Sequence, residues 1–172
     1  MKKRSVGVIS VSGVSEAMSV NCSLYRVNRL IPVYSVLPHS CRLLGDRLMD
    51  ELDAFWAASR HATLQYRWES WRFGLWLEER IAARRLPGGP VEDAIRLEMA
   101  IFDTQGAARG GGGSGSRRWV VLLRYDPDEL LDPAIPAEDL QPLASGVTVL
   151  VDATGQQLAV RRVDDRLEGR VA

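Results

Sequence analysis

Apolar positions recur at helical spacing from about residue 41 to residue 105 and at strand spacing beyond residue 118. From about Cys41 to Arg60, Leu44, Leu48, Leu52, Phe55 and Trp56 fall on one stripe, with Arg42, Asp46, Arg47, Asp50 and Asp53 mostly off it. That spacing predicts a first amphipathic helix. A second helix is predicted over 64–85. Its first half carries Trp68, Trp71, Phe73, Leu75, Trp76 and Leu77 and is apolar nearly all round, which suits the middle of a bundle. Arg80, Arg84 and Arg85 favour its C-terminal end, and Leu86-Pro-Gly-Gly-Pro90 stops it. Pro90 then opens a third helix, with Glu92 and Asp93 in its first turn and an end near Gln105-Gly106.

On the third helix Val91, Ile95, Glu98 and Phe102 share one face. A carboxylate in an apolar stripe loses its hydration on folding, so Glu98 needs a partner or a docking surface. Asp93 and Arg96 lie close in sequence, but Arg96 and Glu98 are too near in register to face each other. The expected partner is an Arg from the Trp-rich helix, Arg72 first, with Glu98 mostly buried.

After the third helix, Gly106 to Ser116 has the composition of a flexible linker, spanning roughly 17–20 Å in the root-mean-square sense. Beyond it, Trp119–Tyr125, Val147–Val151 and Gln157–Val163 read as strands. Asp128–Leu131 forms a single helical turn between the first two, and Gly155 sits in a hairpin turn between the last two. The predicted fold class is α+β, an N-terminal helical bundle followed by a small antiparallel β unit. Its parts are a weakly structured extension over 1–38, a helical domain over 39–105, a linker over 106–118 and a small β domain over 119–172. Met18 offers an alternative start within the extension. Three strands alone are marginal. The near-continuous apolar runs, Trp119, Val121 and Leu123 in one strand and Val147, Val149 and Val151 in the other, call for a cover. Either an extended peptide or the helical bundle would supply it.

Composition narrows the function by exclusion. Formal net charge is zero, yet it is +4 over residues 1–38, −2 over 39–105, +3 over 106–118 and −5 over 119–172. An acidic last third is a poor surface for phosphate, so nucleic acid is disfavoured as a partner. A small DNA-binding regulator, lined by Arg67, Arg72, Arg80, Arg84, Arg85, Arg109, Arg117 and Arg118, is the alternative reading. Cys22 and Cys41 make no disulfide framework, and His39-x-Cys41 offers at most two ligands where a structural zinc needs four. No metal site is expected, and no apolar run reaches membrane-spanning length. The compartment expected is the cytoplasm. Nucleophile elbow, H-E-x-x-H and glycine fingerprint are all missing from the sequence, so a stand-alone enzyme is not expected.

Asp93-Ala-Ile-Arg-Leu-Glu-Met-Ala100 resembles the D-x-x-R-[LF]-E-x-A helix segment of one group of proteins. These are the non-catalytic partners that accompany multinuclear non-haem iron oxidative enzymes in the biosynthesis of ribosomally made, modified peptides. The methanobactin-pathway partner subunit and proteins labelled putative DNA-binding belong to the group. The order of parts is also similar, over roughly residues 41–165. Arg124-Tyr-Asp-Pro-Asp-Glu-Leu-Leu131 resembles a strand-end H-D-P-x-x-L run of the group, with Tyr125 where His is common. This chain differs further in its short, Gly-interrupted junction and in a first forty residues without counterpart. The resemblance implies an accessory subunit with no cofactor of its own, which binds a multinuclear non-haem iron oxidase and helps present a ribosomal precursor peptide. The leader of that peptide would add to a sheet edge, and a marginal sheet with an open edge suits such addition.

Overall fold

The helix expected over 41–60 is two helices, because Gly45 takes a positive φ of 53° and ends the first of them. In the computed structural model, which describes residues 26–59, 66–108, 118–154 and 158–163, α1 covers residues 26–36. It is followed by α2 (Pro38–Leu44), α3 (Arg47–Ala58), α4 (Tyr66–Ala82) and α5 (Pro90–Ala108). Strand β1 (Arg118–Tyr125), the short α6 (Pro127–Leu131), β2 (Pro142–Asp152) and β3 (Ala159–Arg162) complete the order. The class is α+β, helices first and a three-stranded antiparallel sheet after them.

The chain divides into two units between Ile31 and Pro32. Residues 26–36, part of the stretch read as a weakly structured extension, are helix. At its end Val33 and Leu37 are fully buried, an apolar pair at helical spacing that the sequence reading left unused. Within the second unit the expected stripe holds, since Leu44, Leu48, Leu52 and Phe55 are all buried. Phe73 and Leu77 of α4 are fully buried and Phe55 meets Phe73 at a ring-centroid distance of 5.4 Å, so α3 and α4 pack through this face. Trp68 departs from expectation: it is 55% exposed and packs edge-on against Trp71 and Phe102. Gly74 allows α4 to approach α5 closely, since a Cβ there would lie 2.5 Å from the Met99 sulfur.

The sheet lies against α5. Leu97 and Ala100 share one core cluster with Val121, Leu123, Val149 and Val151. Burying each of the larger side chains contributes about 1.5–3 kcal/mol relative to exposure. Thus the bundle covers the apolar strand runs, and the helical and β portions of the sequence share one core.

Strand β2 is central, paired with β1 from Arg118↔Asp152 to Leu123↔Val147 and with β3 from Val149↔Arg162 to Asp152↔Ala159. Strand β1 pairs with β2 alone among the described residues. Its side chains alternate: Val121 and Leu123 point to the core, whereas Val120 and Leu122 are 66% and 63% exposed. Between Leu123 and Tyr125 the register jumps, so that Tyr125 meets Pro142. Gly155, assigned to the hairpin turn, and residues 109–117 of the linker lie outside the described residues. No helix among the described residues is long and apolar enough to cross a membrane.

Candidate functional site

Helix α5 carries two buried carboxylates that both end on backbone N–H groups of other elements. Asp93 is fully buried, and its Oδ2 accepts from the N–H of Arg124 and, at 3.0 Å, from that of Tyr125. These two donors lie where the β1–β2 register jumps, so the carboxylate takes up groups that the ladder cannot pair. The Oδ1 of Asp93 lies 3.6 Å from Arg124 Nε and 3.9 Å from Arg96 Nη1. Glu92 supports the same corner, bound to Arg96 at 2.5 Å and to Arg124 at 2.6 Å.

Glu98 is 3% exposed, as the apolar stripe demanded, but Arg72 is not its partner. Its carboxylate accepts from His39 N at 2.7 Å, from Ser40 N at 3.0 Å and from the Ser40 hydroxyl. Helix α2 starts at Pro38, and Leu37 before it has no capping side chain, so Glu98 supplies the missing N-cap from another helix. Arg72, on α4, is exposed instead. The reason is geometric: α2 packs its N-terminal turn on this face of α5, and free backbone donors fill the role assigned to a guanidinium. Burial pushes the Glu98 carboxyl up to about 7, opposed by the Ser40 hydroxyl, the two N–H groups and Arg42. Beside it lies a pocket of about 210 Å³ lined by Val36, His39, Arg67, Phe102 and Leu131 among others.

Of the D-x-x-R-x-E positions, then, Asp93 holds the end of β1, Glu98 holds the start of α2, and Arg96 stays on the surface beside Glu92. One helix fixes the strand and the first turns of the bundle together.

The residues expected to bind peptide fall in two places. Val121, Leu123, Val149 and Val151 are core, Val147 packs half-buried against them, and only Trp119, 40% exposed, reaches an open surface. Since β2 is paired on both sides, it offers no edge over 149–151, and the edge sought there belongs to β1. Alongside β1 runs a groove of about 420 Å³. Trp119, Val120, Val121 and Leu122 all line it. Successive side chains alternate across a strand, so a surface touched by all four is the strand's backbone edge. Trp71, Leu75 and Met99 form the opposite wall, with Glu78 and Asp103 at the same groove.

Sequence reading missed several polar contacts. Glu51 is buried, binds Arg80 through both oxygens at 3.0 and 2.9 Å and accepts from the Trp76 indole at 3.3 Å, joining α3 to α4. Arg42 donates to the carbonyls of Leu130 at 2.8 Å and Ile135 at 2.6 Å, fastening α6. Glu69, read with Glu78 and Glu79 as a solvated face, is buried. Its place one turn before Phe73 on the buried face was the available signal. Of the arginines proposed to meet DNA, Arg80 is engaged by Glu51, Arg67 lies over the Phe102 ring at 5.1 Å and Arg118 binds Asp152 at 3.2 Å. Arg109 and Arg117 lie outside the described residues. No group of three or more His, Cys, Asp or Glu side chains among the described residues is arranged to hold a metal ion. Compared with family models, with curated proteins and with solved structures, the chain matches none.

Proposed function

We propose that this chain is an accessory subunit of a multinuclear non-haem iron oxidase, and that it presents a ribosomal precursor peptide along the outer edge of β1. The observation that carries the reading is that edge, unpaired among the described residues and open on a groove with an apolar wall. Every second residue of an edge strand directs its N–H and C=O outward, a ready template for an extended peptide. The Asp93 carboxylate occupies the N–H groups of Arg124 and Tyr125, so the template ends there and a bound strand has a fixed limit. The D-x-x-R-L-E segment and the helices-then-sheet order supply the family expectation. The iron ligands in this reading belong to the oxidase.

Co-expression with the oxidase encoded beside this gene, with and without the precursor peptide, tests it. The expected result is a complex that survives affinity purification and size-exclusion chromatography. Absence of such a gene, or of any complex in either case, ends the reading.

A further inference from the structure

The groove beside β1 is not electrically neutral. Arg96, the one cation among its lining residues, is bound by Glu92. Glu78 of α4 and Asp103 of α5 end on no guanidinium among the described residues. Burial pushes both carboxyls above the ordinary carboxylate range, the Glu78 shift opposed by Arg96 and the Asp103 shift by the Trp71 indole. A cation arriving beside either would offset that desolvation. Meanwhile Trp71, Leu75 and Met99 offer an apolar wall facing the strand edge.

We infer that this groove selects its peptide by chemistry as well as by backbone: the occupant is an extended segment that turns both aliphatic and basic side chains toward the helices. On that face the aliphatic side chains pack on Trp71, Leu75 and Met99, and separate Lys or Arg side chains reach Glu78 and Asp103. The inference rests on the β1-edge reading and adds a side-chain code to it. Strand addition alone is indifferent to sequence, because its hydrogen bonds come from the backbone; side chains in pockets give the discrimination. Opposite charges set along a docking groove also reject the wrong partner.

Four fluorescently labelled, capped octapeptides, matched in length to the eight residues of β1, test this by anisotropy. The first carries Ile and Lys in turn at every second residue with Thr between, the second carries Ile and Glu in the same places, the third is the Ile–Lys peptide N-methylated at every second residue, and the fourth is N-methylated at the residues between. The Ile–Lys peptide should bind about tenfold tighter than the Ile–Glu peptide at low salt, the two half-exposed charge pairs together accounting for that ratio. The double variant Glu78→Lys, Asp103→Lys should invert the preference. Should circular dichroism show that this variant misfolds, Glu78→Gln and Asp103→Asn take its place and should each narrow the ratio. Equal binding of the Lys and Glu peptides would overturn the side-chain code and leave the edge reading intact. Loss of binding in either N-methylated peptide shows that the backbone ladder is used. Full binding by both, or no binding by any peptide, would overturn the edge reading and the code together.

Discussion

Asp93 and Glu98 leave the same helix and both end on two consecutive backbone N–H groups, yet their surroundings differ in kind. Asp93 has guanidiniums beside it, Arg124 at 3.6 Å and Arg96 at 3.9 Å, with Glu92 bracing both. Glu98 has no guanidinium within ion-pair distance among the described residues and relies on the start of α2 and a hydroxyl. A buried carboxylate needs donors in either case. For Glu98, with no guanidinium at that distance, burial wins and lifts the carboxyl to about 7. The strand end is thus locked by an ion cluster, and the helix start by an acid that neutral pH can titrate.

The largest effect is expected from Asp93→Ala, which leaves two backbone donors without their acceptor and Arg124 and Arg96 with Glu92 alone. A loss of about 3–5 kcal/mol in urea unfolding is expected. Hydrogen exchange at the Arg124 and Tyr125 amides should rise together with it. A loss under about 1 kcal/mol would mean that the corner repacks around water.

Next comes pH. The folded value of Glu98, about 7, lies above its ordinary 4.5. Its contribution to stability is therefore fully present below about pH 4.5 and is lost as pH rises through about 7, a swing on the order of 3 kcal/mol. Urea unfolding of the wild type and of Glu98→Gln across that range should show the swing in the first and not in the second. Parallel curves would mean that the Glu98 carboxyl is not raised by the fold. Glu98→Ala follows, with a cost of about 1–3 kcal/mol from the lost cap and the unpaired His39 and Ser40 amides. This cost should be larger at about pH 5 than at about pH 8, the reverse of an ordinary carboxylate cap. The smallest effect is Ser40→Ala, about 1 kcal/mol, with the midpoint of the Glu98 titration moving upward because a donor to its charged form is gone.

The sequence carried the stripes plainly: Leu44, Leu48, Leu52 and Phe55 are buried where their spacing put them, and Glu98 is buried because Ile95 and Phe102 flank it on one face. What Glu98 would touch was not legible, since its donors lie at His39 and Ser40, nearly sixty residues earlier, and only the fold brings them near. The break at Gly45 escaped because a hydrophobic stripe continues across a bend. Placing β2 in the centre escaped for a related reason. Apolar runs mark buried strands without saying which neighbours pair, and here β1 and β3 both pair with it. The groove was least legible of all, being made where Leu75, Met99 and Trp119 meet from three elements.

Cys41 sits in α2, 2% exposed, close enough to Glu98 for that charge to act on it. Burial first, and then Glu98, push its thiol up to about 12. Such a thiol is inert toward alkylating reagents while α2 stays docked, because the thiolate is the reacting species. In a Cys22→Ser background, then, the labelling rate at Cys41 is a clock for the opening of α2. Opening exposes the thiol and frees Glu98 in the same event, so a clock that runs faster as pH rises through about 7, once divided by the labelling rate of a free thiol at each pH, would time the release of the first turn of α2 from α5.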